Sequence, residues 1–320
     1  MTDPSQPRHF AALDLGSLTV RLAVAEQTPG GKFRVLTHRR EITGLGRGLA
    51  ATNDLAPEDM ARTLTALKTF QPVMTALGVE VCRAVGTQAL RQARNRQIFL
   101  DQVQDALGLA VEVLAPEAEA RLSLTGVLTT LAPEVLTAPQ VLVFDVGGGS
   151  SEFALMRPGQ EPVFASVPLA VLTLSQARPL GDPPIPGKVA ALKEELSARL
   201  GSFYKGAIEP YLEGDFCLVG TAGAVTTLAA MQLKLRAYDP NKINNLTLTR
   251  AQVAALAELV AGLSESARAR LAGIEPAKAG VMVAGALIVL TILEVCRQDS
   301  LVVTDAGLLE GVLHEMAGKF

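Results

Sequence analysis

Short apolar runs that end in Asp and lead into glycine occur twice along the chain. Phe10–Asp14 is followed by Gly16-Ser17 and a second apolar run, Thr19–Ala25. Val141–Asp145 is followed by a glycine-rich turn and the run Glu152–Met156. Each pattern predicts a strand, a tight turn and a second strand. The two hairpins begin about 130 residues apart, which predicts two related halves rather than a short-period repeat.

Helices and strands alternate along the rest of the chain. A third glycine turn, Gly220–Gly223, follows the strand Phe216–Val219 and opens into a helix, Ala224–Met231. Further helices are predicted at Pro57–Leu77, Gln97–Leu107, Pro116–Leu131, Lys188–Tyr204, Arg250–Leu263, Pro276–Gln298 and Ala306–Ala317. Further strands are predicted at Arg34–Thr43, Val81–Val85, Val111–Leu114, Val163–Val167 and Leu301–Thr304. This alternation favours an α/β architecture.

The composition is that of a chain with a large buried core. Hydrophobic residues make up 49% of the 320 residues and charged residues 19%. A chain of this length exceeds one ordinary core, so two domains are expected. The net charge of −3 gives no global attraction for nucleic acid or an acidic membrane, so neither is an expected partner. Any polyanion must be bound by a local cluster of positive groups.

The cysteines favour a reducing cytoplasm, and the most apolar segment is not predicted to span a membrane. Cys82, Cys217 and Cys296 lie far apart among apolar residues, which is typical of buried free thiols rather than of zinc or disulfide sites. Ala279–Leu293 is continuously apolar or small but shorter than a bilayer span, so a helix buried on all sides is predicted there.

The two Asp-Gly hairpins carry candidate phosphate chemistry. Glycine in a tight turn leaves backbone N–H groups bare and lets a phosphate approach closely. Hydroxyl donors can be added by Ser17, Thr19 and Ser150. Mg²⁺ needs one or two carboxylates, with waters and phosphate oxygens completing its shell. Asp14 and Asp145 end their strands where the turns begin, so two such hairpins facing each other would clamp Mg²⁺ and a phosphate chain.

Asp145–Phe153 (DVGGGSSEF) and Asp14–Arg21 (DLGSLTVR) together resemble the paired phosphate loops of the Ppx/GppA family. That family comprises exopolyphosphatases and guanosine pentaphosphate phosphohydrolases. Other segments agree in order and spacing; they are Leu45–Leu49 (LGRGL), Thr87–Asn95 (TQALRQARN), Glu119–Arg121 (EAR), Gly220–Thr227 (GTAGAVTT) and Leu308–Leu313 (LLEGVL). The resemblance covers roughly residues 10–316. Each piece alone is weak, but six in the right order are a strong signal.

The resemblance implies the two-domain actin-like ATPase fold, with the active site in a cleft between domains 1–121 plus 306–320 and 122–305. It implies that Glu119 is the general base that deprotonates water, and that Asp14 and Asp145 hold Mg²⁺ or Mn²⁺. It also implies that Arg91 faces the phosphate chain. The other implied phosphate-binding residues are Gly16, Ser17, Thr19, Gly147, Gly148, Gly149, Ser150, Gly220 and Gly223.

The sequence departs from the family pattern at several positions, which leaves the choice of substrate open. Leu18 stands where the first loop usually carries Asn, so a polar contact is lost there. Thr173 replaces a usual Arg, and Asn244-Asn245 a usual His-Gly. Asp14, Glu119 and Asp145 are retained.

Three functions from different classes stay open at this point. The first is a hydrolase that removes the terminal phosphate of inorganic polyphosphate or guanosine pentaphosphate, working as a homodimer. The second is an actin-like ATP-dependent kinase or chaperone ATPase, since those proteins also carry Asp-x-Gly loops. The third is a non-catalytic binder of polyphosphate or an alarmone. Retention of Glu119 and of both aspartates favours the hydrolase.

Overall fold

The computed structural model describes residues 8–27 and 33–318, and contacts group the chain into two compact units. The first unit is Met1–Thr129 with Gly307–Phe320, and the second is Thr130–Ala306. The predicted domain bounds, 1–121 with 306–320 and 122–305, stay a prediction.

One sheet organises the first unit, with strands in the order β3-β2-β1-β4-β5. The first three strands form an antiparallel meander, and β1, β4 and β5 run parallel. The strands are β1 His9–Leu15, β2 Thr19–Gln27, β3 Phe33–Ile42, β4 Val81–Gly86 and β5 Val111–Val113. The helices are α1 Leu49–Thr52, α2 Pro57–Ala76, α3 Gln88–Gln92, α4 Arg96–Leu107, α5 Pro116–Leu128 and, from the chain end, α14 Leu308–Ala317.

Helices cover both faces of this sheet because its central strands are apolar on both sides. Leu13 and Leu22 pack toward Phe70 of α2 and Phe99 of α4. The alternate residues of the same strands pack with α5 and α14; that second cluster includes Phe10, Ala12, Ala23, Leu122, Val312 and Leu313. Successive side chains in a strand face opposite ways, so Asp14 lies on the face that α5 and α14 cover.

A six-stranded sheet organises the second unit, in the order β10-β11-β9-β6-β7-β8. Its strands are β6 Val141–Val146, β7 Ser151–Met156, β8 Val163–Val167, β9 Cys217–Thr221, β10 Thr247–Thr249 and β11 Ser300–Val303. The helices are α6 Pro133–Leu136, α7 Val171–Ala177, α8 Pro186–Ala207, α9 Ala222–Gln232, α10 Pro240–Ile243, α11 Arg250–Ala261, α12 Glu265–Arg268 and α13 Met282–Val295, with 3₁₀ turns at Glu209–Tyr211 and Pro276–Lys278.

The two sheets share one topology. In each sheet, three consecutive strands form an antiparallel meander. The first strand of the meander pairs on its other edge with a parallel strand. The strand order is the same in both sheets when β1 to β5 are matched in turn with β6, β7, β8, β9 and β11. Both predicted hairpins are present, and the prediction of two related halves is confirmed at the level of sheet topology.

The apolar segment near the end of the second unit is a buried helix, as predicted. In α13, the residues from Met282 to Leu293 are buried, and the helix packs with α8, α9 and α11. The predicted single helix Pro276–Gln298 is wrong at its start, because a 3₁₀ turn at Pro276–Lys278 precedes α13. Within the described chain, no helix is long and apolar enough to cross a bilayer.

Candidate active site

The first glycine turn joins β1 to β2 and is closed by its own backbone. The N–H of Gly16 donates to the carbonyl of Thr19 over 3.1 Å. A side chain at Gly16 would place its Cβ 2.8 Å from that carbonyl oxygen, so only glycine fits. In the described residues, the N–H groups of Ser17 and Leu18 donate to no backbone carbonyl. The turn therefore offers two bare donors, as the sequence predicts.

Asp14 precedes this turn and is buried, with 3% of its surface exposed. Its cross-strand neighbour is Arg21, which donates to Oδ2 from Nε over 2.9 Å and from a terminal nitrogen over 2.6 Å. Its other oxygen, Oδ1, is buried and has no hydrogen-bond partner among the described residues. A buried carboxylate oxygen without a partner is costly, and a cation at this oxygen would offset that cost.

The second glycine turn, between β6 and β7, repeats the first with the same geometry. The N–H of Gly147 donates to the carbonyl of Ser150 over 3.0 Å, and a Cβ at Gly147 would lie 3.0 Å from that oxygen. Asp145 is half-buried at the end of β6 and lies opposite Glu152, just as Asp14 lies opposite Arg21. The paired positions thus correspond one to one between the two units.

Helix α7 orients the peptide groups of the second turn. The N–H groups of Val171 and Leu172 donate to the carbonyls of Gly147 and Gly148, over 3.1 and 3.2 Å. In a trans peptide the N–H points opposite to the carbonyl of the same plane. The N–H groups of Gly148 and Gly149 therefore point away from α7, and neither donates to a backbone carbonyl in the described chain. They are suited to bind an anionic oxygen.

Ser150 has a partner that sequence reasoning missed. Its hydroxyl donates to Oε1 of Glu152 over 2.5 Å, and the hydroxyl of Ser166 donates to the same oxygen over 3.1 Å. Both Ser150 and Glu152 are buried. A phosphate contact from the Ser150 hydroxyl would therefore compete with Glu152. The sequence could have indicated this pair, because side chains two positions apart along an extended strand lie on the same face.

The third glycine turn is less open than the first two. A Cβ at Gly220 would lie 2.7 Å from the ring of Phe144, so close packing within the sheet already requires this glycine. Gly223 is exposed at the start of α9, after Ala222 with a φ of 70°. The Nζ atom of Lys278 would lie 3.7 Å from a Cβ at Gly223, and Lys278 is 6% exposed. Lys278 is a positive group that the sequence analysis did not select.

Arg91 and Glu119 are brought together in the first unit. A terminal nitrogen of Arg91 lies 2.5 Å from Oε2 of Glu119 and also donates to the carbonyl of Leu114 over 2.9 Å. Its other terminal nitrogen donates to Gln88 over 2.9 Å. The Arg91 and Glu119 side chains are 15% and 14% exposed. Glu119 lies in the first turn of α5, where the helix dipole favours a carboxylate.

The two neighbouring arginines have structural partners of their own. Arg94 pairs with Asp54 over 2.6 Å, and Arg96 donates to the carbonyl of Arg91 over 3.2 Å. Arg94 is exposed, and its hydrogen bond with Asp54 raises its pKa. These contacts fix the loop before α4 rather than directing either charge to Glu119.

Known proteins resemble this chain along nearly its full length. The model of the Ppx/GppA phosphatase family matches residues 23–320. Exopolyphosphatase 2 of Mycobacterium tuberculosis is 32% identical and aligns over 96% of this chain and 98% of its own. The chain belongs to the Ppx/GppA phosphatase family. Membership confirms the resemblance seen in the sequence and the predicted enzyme class, a phosphoric anhydride hydrolase.

Solved structures agree with this assignment. The crystal structure of the Aquifex aeolicus Ppx/GppA family member is 31% identical, covers 98% of this chain and 99% of its own, and superposes with a TM-score of 0.80. The predicted actin-like ATPase fold, with two α/β units, is confirmed. Another Ppx/GppA relative, the guanosine-5'-triphosphate,3'-diphosphate pyrophosphatase of Photobacterium profundum, is 28% identical over 97% of this chain but only 59% of its own length.

Proposed function

We propose that this Ppx/GppA family member is an exopolyphosphatase that releases the terminal phosphate of inorganic polyphosphate by Mg²⁺-assisted attack of water. The observation that carries the proposal is the repeated turn. Each unit has a glycine turn closed by the same N–H to carbonyl bond, two or more bare N–H groups, and an Asp at the same register position. Such turns bind phosphate oxygens without a large change in their own structure.

Mg²⁺ fits the donors that the chain supplies. Asp14 has a buried oxygen without a partner, and Asp145 is a half-buried carboxylate beside the second turn. The described residues hold no group of three or more His, Cys, Asp or Glu side chains suited to a metal. A cation here would be held by one or two carboxylates and by waters and phosphate oxygens, which is how Mg²⁺ usually binds. When bound, Mg²⁺ would neutralise charge on the transferred phosphoryl group.

Glu119 would accept the proton of the attacking water. In the reaction, the water oxygen bonds to the terminal phosphorus, the bridging P–O bond breaks, and the shortened chain leaves on its oxygen. Arg91 holds the carboxylate of Glu119 by the 2.5 Å contact and is itself fixed by Leu114 and Gln88. We therefore assign Arg91 to positioning Glu119. Any contact of Arg91 with phosphate would compete with these three acceptors.

Guanosine pentaphosphate is the second candidate substrate. The relative from Photobacterium profundum is named for hydrolysis of that class of nucleotide, whereas the relative from Mycobacterium tuberculosis is named an exopolyphosphatase. The Mycobacterium relative matches at higher identity and over almost its whole length, and this supports polyphosphate as the first choice.

The substrate is tested by measuring phosphate release from long-chain polyphosphate, short-chain polyphosphate, guanosine pentaphosphate and ATP with purified protein and Mg²⁺. The proposal expects the highest kcat/KM for polyphosphate. A higher value for guanosine pentaphosphate would make that alarmone the substrate. Transfer of phosphate from ATP to another acceptor, with no release from polyphosphate, would contradict the proposal.

A further inference from the structure

The loop of residues 43–48 is fastened to the first glycine turn. The N–H groups of Thr43 and Gly44 both donate to the carbonyl of Leu18, over 3.0 and 2.9 Å. The N–H of Gly46 donates to the carbonyl of Ser17 over 2.8 Å. A Cβ at Gly46 would lie 3.0 Å from the Cβ of Ser17, so the loop and the turn are in close contact. Side chains of this loop are therefore neighbours of the candidate phosphate turn.

Arg47 folds back over this loop. Gly44 has a φ of +67°, and a Cβ built there would lie 2.4 Å from Nε and 2.9 Å from Cζ of Arg47. The guanidinium group thus lies over Gly44, the residue whose N–H is bonded to Leu18. Because Gly44 has no side chain, it can adopt the left-handed backbone conformation and leave room for the Arg47 side chain. The positive charge of Arg47 is in this way kept beside the turn.

Several other arginines of the first unit are already paired with carboxylates. Arg21 is bound to Asp14, Arg91 to Glu119 and Arg94 to Asp54. Arg62 is bound to Asp59 in α2 and donates to the carbonyl of Thr43 over 2.6 Å, so it supports the loop.

Arg47 differs from these arginines. It is exposed, and in the described part of the chain its side chain makes no hydrogen bond or ion pair. The turn itself contributes no cationic side chain, because Ser17 is neutral and Leu18 is apolar. The charge of Arg47, next to the turn, is therefore not compensated by any of the described residues.

We infer that Arg47 is a substrate-binding residue, whose guanidinium contacts the phosphate oxygens of the polyanion bound at the first glycine turn. A planar guanidinium matches the spacing of phosphate oxygens and needs no proton change to do so. The inference deepens the proposed function and rests on it, since it names a contact to the same substrate.

The test compares Arg47→Ala and Arg47→Lys with wild type in polyphosphate hydrolysis. Arg47→Ala should raise KM about fivefold and leave kcat within about twofold, the size expected for one partly exposed charged contact. The KM of Arg47→Lys should lie between those of wild type and Arg47→Ala, because lysine keeps the charge but lacks the planar guanidinium. The KM of wild type should also rise more steeply with salt than that of Arg47→Ala, since salt screens the contact that the variant lacks.

Arg236→Ala is the matched control. Arg236 is an exposed arginine that follows the C-terminal end of α9, the end opposite to its glycine turn. Its removal changes the net charge equally and should leave KM and its salt dependence unchanged. Thermal melting should show that both variants are folded. An equal KM for folded Arg47→Ala and Arg236→Ala would overturn the inference and leave Arg47 a solvated surface residue.

The two proposals can fail separately. If wild type hydrolyses polyphosphate and Arg47→Ala has normal KM, the inference about Arg47 fails and the proposed function stands. If wild type releases no phosphate, the proposed function fails. Polyphosphate binding by calorimetry then tests Arg47, and about fivefold weaker binding by Arg47→Ala than by Arg236→Ala would support the inference. Equal binding by the two variants, or none by wild type, would overturn it.

Discussion

The two aspartates occupy the same position in the two hairpins but differ in surroundings. Asp14 is buried and bound to Arg21 through one oxygen, whereas Asp145 is half-buried and lies opposite Glu152. Their cross-strand partners, Arg21 and Glu152, were not predicted from the sequence; the strand register in the structure shows them. A turn closed between Gly16 and Thr19 places Arg21 directly opposite Asp14. Each aspartate is evident in the sequence because it ends an apolar run before glycine, whereas its cross-strand partner becomes evident only once the turn fixes the register.

Replacing Asp14 with Asn should impair activation by Mg²⁺. The change removes a negative charge from a buried oxygen that has no other partner in the described chain. Loss of a carboxylate ligand should raise the Mg²⁺ concentration for half-maximal activity at least about tenfold. Phosphate release measured against Mg²⁺ concentration checks this. Asp101→Asn, an exposed change on α4, is the control, and an unchanged Mg²⁺ response in Asp14→Asn would contradict the assignment.

The three cysteines should be poorly reactive in the folded protein. Burial raises the pKa of Cys82 and of Cys296 to about 12, and it also raises that of Cys217. A thiol whose pKa is raised stays protonated at pH 8, and the thiolate is the reactive form. Alkylation with iodoacetamide, followed by mass spectrometry, should be slow at all three sites in native protein and rapid in urea. Fast labelling of native Cys296 would contradict its burial.

At the scale of elements, α5 and α14 pack backbone against backbone. A Cβ at Gly311 of α14 would lie 1.8 Å from the carbonyl oxygen of Leu122 in α5. A Cβ at Gly126 of α5 would lie 1.9 Å from the carbonyl oxygen of Gly307. These two glycines allow α14 to cross closely over α5, the helix that carries Glu119. Together the two helices cover the Asp14 face of the sheet.

Gly311→Ala should destabilise the protein by about 3 kcal/mol or more, because the helices must separate to admit the methyl group. Urea unfolding measures the change in the free energy of unfolding. Gly201→Ala is the matched control, since Gly201 lies in α8 and a Cβ there would meet no atom within 4 Å. That variant should be more stable by about 0.5–1 kcal/mol, because alanine has the higher helix propensity. Equal stability of the two variants would refute the close crossing.

Most elements were predicted from the sequence, but two short ones were not. The bounds of α2, α4 and β8 differ from prediction by one residue or less at each end. The three-residue strand β10 and the seven-residue helix α7 were missed. Both depend on distant partners, since β10 pairs with β11 and the first N–H groups of α7 bond to Gly147 and Gly148. A local pattern carries little signal for an element that tertiary contacts define.

At the scale of the molecule, two units with one topology each provide a glycine turn and an aspartate. The sequence shows this doubling through the spacing of the two hairpins, and the sheet order confirms it. The family resemblance placed the last helix, residues 306–320, in the first domain, and α14 packs there with Phe10 and Leu122. The hydrophobic pattern alone could not show that. Nor could it show that Arg91 contacts Glu119, because the pair is separated by 28 positions.

The most direct test of the account is the activity of Glu119→Gln on polyphosphate, compared with wild type and with Glu117→Gln. Glu117 lies in the same first turn of α5 and is exposed, so it controls for the loss of a charge at the helix start. Each protein is freed of metal with EDTA and assayed for phosphate release before and after Mg²⁺ is restored. The account predicts that kcat of Glu119→Gln falls about 10²- to 10⁴-fold with Mg²⁺ present, while Glu117→Gln matches wild type and no protein is active without the metal. Near-normal turnover by folded Glu119→Gln, or full activity after metal removal, would contradict it.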